Sequence, residues 1–322
     1  MNQLQKEILK VYKEVKRVCD KNKIRYYAVA GTALGAVRHH GFIPWDDDMD
    51  LGIPIEDFEK FKKACKKDLK EPFEFVELNW MGGKVHNKNT TFIEAPCLLD
   101  NKKHYGVYVD IFPLVGVPND EERRKAFLLE VRKYFIKAFT FDRYPEASKM
   151  SESELLKWKK KLCGANDYEV AERVLEFAIA HRFTMRRAGL EKSVLVDFED
   201  TTVPVSGAVK EDLTERYGDF MKLPPKSQRV AHAAAAIIDF KTPCAEYAKK
   251  IEKIDPEILN LLRIEHGLEG EFFDTAHTMS VEYEILEKEY KRACRELTLL
   301  KNKERRSLSS CARRLVRKVR HD

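Results

Sequence analysis

The chain has 322 residues, 43% hydrophobic and 10% aromatic, which supplies a packed core and excludes a disordered or low-complexity chain. No run approaches the ~18 apolar residues a membrane-spanning helix needs, and the polar, amphipathic start MNQLQKEILK is unlike a secretory leader, so a cytoplasmic location is expected. The net charge of +6 hides an asymmetry: residues 291–322 carry 12 Lys/Arg against 3 Asp/Glu, while residues 1–290 carry −3, so the body is not built to coat nucleic acid and the tail suits an anionic partner.

Residues 3–21 read as an amphipathic helix, with Leu4, Ile8, Val11, Val15 and Val18 on one stripe. Residues 24–30 (IRYYAVA) switch to β-branched and aromatic side chains and predict a strand that Gly31-Thr32 breaks. A short helix over 33–39 and a loop over 41–44 follow. Alternation of Met49, Leu51 and Ile53 predicts a strand over 46–53, and 55–69 reads as a charged helix that buries Phe58 and Phe61. Strands are predicted over 73–78, 84–86, 91–93 and 105–112, and helices over 120–141, 151–163, 167–188, 209–217, 244–265 and 279–300. Residues 193–196 read as a return to the sheet, and Gly218 as a helix stop. The pattern is α+β: a catalytic core over 1–120, a helical insertion with part of the site over 121–240, and a helical region with a basic tail over 241–322.

The segment Gly31–Asp50, GTALGAVRHHGFIPWDDDMD, packs four acids into five residues. On a strand, Asp46, Asp48 and Asp50 share one face, opposite Asp47, Met49, Leu51 and Ile53. Three carboxylates converging on an open side repel one another unless a cation neutralises them. A hard divalent cation with oxygen ligands does this, and Mg²⁺ or Mn²⁺ suits a site beside phosphates. A helix–loop–helix calcium loop fits poorly, because Leu51 and Asp57 stand where glycine and glutamate are required and Pro44-Trp45 interrupt any entering helix. Gly31-Thr32 ahead of a helix start makes a turn where a phosphate can rest, with the Thr32 hydroxyl as a donor. Arg38, His39 and His232 are further candidate phosphate contacts, and Trp45, Tyr26, Tyr27, Tyr105 and Tyr108 are candidate faces for a quaternary ammonium group.

The stretch GTALGAVRHHGFIPWDDDMDLGIP resembles the signature of the LicD family of phosphorylcholine-type transferases, whose animal relatives are the fukutin-type phosphopentitol transferases. YVDIFPL (108–114) resembles the family's second acidic strand, and ERYGDFMKLPP with His232 its C-terminal motif. The resemblance implies a nucleotidyltransferase fold of DNA polymerase β type with a mixed sheet. It also implies transfer of a phospho-alcohol from a CDP-linked donor to a sugar hydroxyl of a glycan or its precursor, which can be lipid-linked. By it, Gly31 and Thr32 form the glycine-plus-hydroxyl turn, Asp48 and Asp50 the paired metal carboxylates, Asp46 the extra acid and Asp110 the third acid on a neighbouring strand. Asp48, Asp50 and Asp110 are thus the catalytic set; Arg38 and His232 are candidate donor contacts, and Arg38 alternatively orders the acidic loop. Either Asp110 or Asp46 takes the acceptor's proton.

Transfer of a nucleotidyl group is the alternative that the same turn and carboxylates allow. The animal relatives carry a cysteine zinc site, whereas the seven cysteines here are scattered singly, so no structural zinc is expected. No nucleic acid partner is expected. The basic tail, 301–322, suits peripheral contact with an anionic membrane face.

Overall fold

The computed structural model describes residues 1–80, 82–93, 106–144, 147–177, 183–231 and 237–251, with positions 264, 271, 274–281, 283, 287, 291 and 298 beyond. Residues 1–274 make one compact unit and residues 275–322 a second, of which 275–281 are helical. The first half of the large unit contains α1 (Gln3–Asn22), β1 (Tyr27–Ala28), α2 (Ala30–His39), β2 (Asp50–Pro54), α3 (Ile55–Asp68), β3 (Phe73–Glu77), β4 (Gly83–Asn87), β5 (Thr91–Ile93) and β6 (Tyr108–Gly116). The second half adds α4 (Glu121–Arg143), α5 (Glu152–Cys163), β7 (Arg173–Glu176), β8 (Met185–Arg186), α6 (Arg187–Glu191), β9 (Val194–Phe198), β10 (Thr201–Val205), α7 (Val209–Tyr217), β11 (Ile237–Asp239) and α8 (Cys244–Ile251). Among the described residues no helix is long and apolar enough to cross a membrane.

The fold is α+β around a mixed sheet, as the sequence predicts. Its main path runs β1-β2-β6-β4-β3, and β7 and β8 extend it from β6. β2 and β6 run parallel; the other pairs are antiparallel. Alternation along β2 and β6 sends Leu51, Ile53, Val109 and Ile111 to the side covered by α1 and α3. Phe112 and Leu114 point to the other side, into a core shared with α4 and α5. Phe58 and Phe61 are buried under α3 as expected, and each such ring contributes about 1.5–3 kcal/mol relative to exposure. Gly52 lets the strands crowd here: a Cβ on it would lie 2.7 Å from Leu114.

Four sequence expectations are corrected. The strand over 46–53 is only Asp50–Pro54; the Asp46 N–H closes a turn on the Ile43 carbonyl (2.9 Å), so residues 46–49 are a loop. The predicted helix 167–188 is instead β7 and β8, because the flank of β6 beyond Pro113 needs partners: β7 pairs with Leu114–Gly116, and the Phe177 N–H donates to the Pro113 carbonyl (2.8 Å). Residues 194–198 do not rejoin the main sheet but form a ribbon with β10. The helix after β1 also begins earlier than expected, at Ala30, so that Gly31 and Thr32 lie in its first turn.

Candidate active site

Three polar side chains form a row across the middle of the sheet. Asp50 on β2 is the register partner of Asp110 on β6, and Asp110 is the partner of Lys84 on β4. All three are buried. The Lys84 ammonium donates to Asp110 Oδ1 at 2.8 Å and lies 3.3 Å from the Tyr108 ring centroid. Asp110 is mid-strand, so it is not a strand-end turn residue. Tyr108 holds Lys84 and is thereby taken out of the set of candidate ammonium-binding faces.

The first turn of α2 grips Asp50 by its backbone. Thr32 Oγ1 accepts the Asp50 N–H at 2.7 Å, and the Val29 N–H donates to the Asp50 carbonyl at 3.2 Å. Thr32 is therefore a buried brace that fixes where β2 begins. Ala30, at φ 48°, holds a left-handed conformation that an alanine adopts at a cost of about 1 kcal/mol, and the strain sits at the mouth of the site. Gly31 follows; a Cβ there would reach within 3.0 Å of Asp46 Oδ2, so glycine permits the acid loop to approach the helix start.

The acid loop is held from the opposite side by Gln5, a buried residue of α1 that also closes the helix's capping box with Asn2. Its side-chain amide donates to the carbonyls of Ile43 (3.1 Å) and Asp46 (3.0 Å). Because residues 46–49 are a loop, strand alternation does not govern them. Asp47 accordingly joins Asp46 and Asp48, with one carboxylate oxygen of each within 4.8 Å of the others. The expectation that Asp47 faces away is corrected on this point.

Asp46, Asp48, Asp50 and Asp110 line one cavity of about 490 Å³ together with Ala30 and Gly31 of α2. Burial pushes the Asp50 carboxyl well above the usual carboxylate range, and Asp48, Asp110, Glu176 and Asp46 push it further. Asp46 is pushed up to about 6 by burial and Asp47, with Arg38 acting against them. Such an excess of buried negative charge is relieved by protons or by a cation. An oxygen-only donor set of aspartates fits a hard divalent ion such as Mg²⁺ or Mn²⁺.

Arg216, on α7, enters the same cavity more than a hundred residues after the acid loop. Its guanidinium donates to Glu176 Oε1 of β7 at 2.8 Å and lies near the rings of Tyr217 (5.4 Å) and Phe183 (6.0 Å). The second oxygen of Glu176 is buried and has no hydrogen-bond partner. Sequence reasoning missed Glu176, which lies in a stretch expected to be helical, and gave Arg216 no role although it stands within the quoted motif ERYGDFMKLPP.

A second cavity, of about 680 Å³, shares Gly31, Asp46 and Tyr217 with the first. The segment ERYGDFMKLPP builds much of its wall, through Tyr217, Asp219, Phe220 and Leu223–Pro225. Arg38 lines it too, but His39 does not contribute to either wall; it accepts from Arg38 Nε at 2.9 Å. His232 and Tyr105 lie outside the described residues.

Residues 23–161 match the nucleotidyltransferase domain described as LicD/FKTN/FKRP. This segment is a LicD-family domain. It contains Gly31, Thr32, the acid loop, Lys84 and Asp110, whereas Glu176 and Arg216 come from beyond it. The α+β fold with its mixed sheet is of nucleotidyltransferase type. Lipopolysaccharide cholinephosphotransferase LicD of Haemophilus influenzae is 25% identical over 244 residues, covering 67% of this chain and 89% of that protein. Ribitol 5-phosphate transferase FKRP of Homo sapiens is 56% identical over 34 residues, 11% of this chain and 7% of that protein. A protein of Rickettsia prowazekii without an assigned function is 31% identical over 133 residues, 34% of this chain and 46% of that protein.

Proposed function

We propose that this chain is a divalent-cation-dependent phosphotransferase that moves a phospho-alcohol from a CDP-linked donor to a hydroxyl of a glycan or glycan precursor. The observation that carries the reading is the meeting of Asp46, Asp48, Asp50 and Asp110 with the start of α2 and with Arg216 in one cavity. The names of two LicD-family relatives support it: one is a cholinephosphotransferase, the other a ribitol 5-phosphate transferase, and both describe movement of a phospho-alcohol.

Asp46, Asp48, Asp50 and Asp110 would hold Mg²⁺ or Mn²⁺. When bound, the cation neutralises donor phosphate charge and polarises the phosphorus under attack. Ala30 and Gly31 at the start of α2 line the same cavity, and a helix start favours a phosphate there. Arg216, held by Glu176, donates to phosphoryl oxygens as charge gathers on them and on the departing CMP. Lys84 keeps Asp110 in place within the row. The acceptor hydroxyl attacks phosphorus, and Asp46 or Asp110 takes its proton. The protein's contribution is chiefly position and charge.

A panel of CDP-alcohols incubated with the protein, Mg²⁺ and a glycan acceptor tests the reading through CMP release. CDP-choline or CDP-ribitol is the expected donor. The basic segment 301–322 lies outside the described residues; we assign it a peripheral contact with anionic lipid at the cytoplasmic face, worth about 1 kcal/mol per basic residue near the surface. Pelleting with anionic liposomes that salt abolishes would support that contact.

A further inference from the structure

Two arginines share the larger cavity. Arg38 on α2 donates Nη1 to the Phe220 carbonyl (2.7 Å) and Nε to His39 (2.9 Å). Arg229 donates Nε to the Pro224 carbonyl (2.9 Å), and its guanidinium lies 5.4 Å from the Trp45 ring centroid. Both are half-buried and line the cavity with Trp45. Among the described residues neither forms an ion pair with a carboxylate, although Asp46 and Asp219 also reach the cavity wall. The two charges oppose each other: burial and then Arg229 weaken the hold of Arg38 on its proton, while Asp46 works the other way.

Paired guanidiniums anchored by neutral groups, with N–H donors left over, are a receptor for a phosphate. The donor's diphosphate already has its counter-charges in the neighbouring cavity, in Arg216 and in the cation that four aspartates call for. The arginine pair therefore calls for a different anion. We propose that Arg38, Arg229 and Trp45 form a second phosphate site, independent of the divalent cation. Its occupant is a phosphate monoester with a sugar attached, seated against Trp45 in a cavity of about 680 Å³. Within the proposed function, that chemistry has two sources: a phosphorylated acceptor, or the CMP left after transfer.

Binding to this site is read without turnover. Glucose 6-phosphate and CMP are titrated separately in excess EDTA, with calorimetry as the readout, against the full chain and its Arg229→Gln, Arg229→Lys and Asp48→Asn variants. At least one ligand should bind the wild type, about tenfold or more weakly to Arg229→Gln, and with affinity between the two to Arg229→Lys. Binding to Asp48→Asn should match wild type, because the acid cavity is not used. Preference for glucose 6-phosphate identifies the acceptor as the source; preference for CMP identifies the released nucleotide. No binding of either ligand in EDTA, or undiminished binding to both Arg229 variants, overturns the site. If Arg229→Gln does not fold, the Arg229→Lys result decides. CMP release from CDP-alcohols without phosphate binding in EDTA would sink this site alone. Arginine-dependent binding without any CMP release would sink the proposed function alone.

Discussion

Asp50 and Asp110 stand directly opposite each other on the parallel strands β2 and β6, both buried and on the same face of the sheet. Like charges in that arrangement are destabilising until something neutralises them. The folded, metal-free protein therefore holds a proton on Asp50 more tightly than the unfolded chain does. The sign follows: stability is full below the ordinary carboxylate range and falls as pH rises through the elevated folded value. Asp50→Asn should melt higher than wild type near neutral pH without metal, converge with it in acid, and gain nothing from Mg²⁺. Its turnover should drop by at least about 100-fold. Thermal melts with and without Mg²⁺, alongside CMP release, check both halves.

Thr32→Val keeps the shape of the side chain and removes the acceptor of the Asp50 N–H. A buried donor left unpaired costs about 1–3 kcal/mol. Urea unfolding should show that loss, and kcat should fall with KM for the donor little changed, since Thr32 is buried, braces Asp50 and does not line the cavity. Unchanged stability and turnover would mean that the brace is dispensable.

Lys84→Met leaves Asp110 beside Asp50 without the cation that donates to it. Breaking a buried ion pair from one side costs about 3–5 kcal/mol. Denaturant unfolding of the metal-free protein should show a loss of that order. Mg²⁺ should restore part of it, and to a greater extent than it stabilises wild type.

His86, on β4, is 3% exposed and accepts the Gly106 N–H on Nδ1 at 3.0 Å. Burial, with Lys88 and Lys84, lowers its pKa to about 4. The unfolded chain thus binds the proton first, and stability contributed by neutral His86 is lost as pH falls from about 6.5 to about 4, by up to about 3 kcal/mol. His86→Gln should flatten that slope. Parallel slopes for the two proteins across this pH range would contradict the assignment.

Much of the fold could be read locally. Helices α1, α3, α5 and α7 carry apolar stripes or caps, and β5 and the start of α5 fall within a residue or two of expectation. The acidic loop could be singled out because four acids in five residues need an electrostatic reason, and Asp110 because 108–114 resembles the family's second acidic strand. Other features depend on tertiary pairing. β7 has helical apolar spacing at Val170, Val174 and Phe177, and becomes a strand only because the flank of β6 needs hydrogen-bond partners. That pairing sets Glu176 where it holds Arg216 of α7 at the cavity, so no window of sequence displays them together. Gln5 is legible only as a cap partner of Asn2: nothing in an amphipathic helix announces that it will also hold a loop some forty residues later.

The most direct measurement follows the fate of the donor. CDP-choline and CDP-ribitol, each labelled in the alcohol, are incubated with the full chain, Mg²⁺ and a glycan acceptor, and both label and CMP are followed. The account predicts that label from one donor moves to the glycan with one CMP released per transfer, that EDTA stops the reaction, and that Asp48→Asn and Arg216→Ala fold but do not turn over. Label that stays with the nucleotide while the nucleotide moves to the acceptor, or full activity in Asp48→Asn, would contradict it.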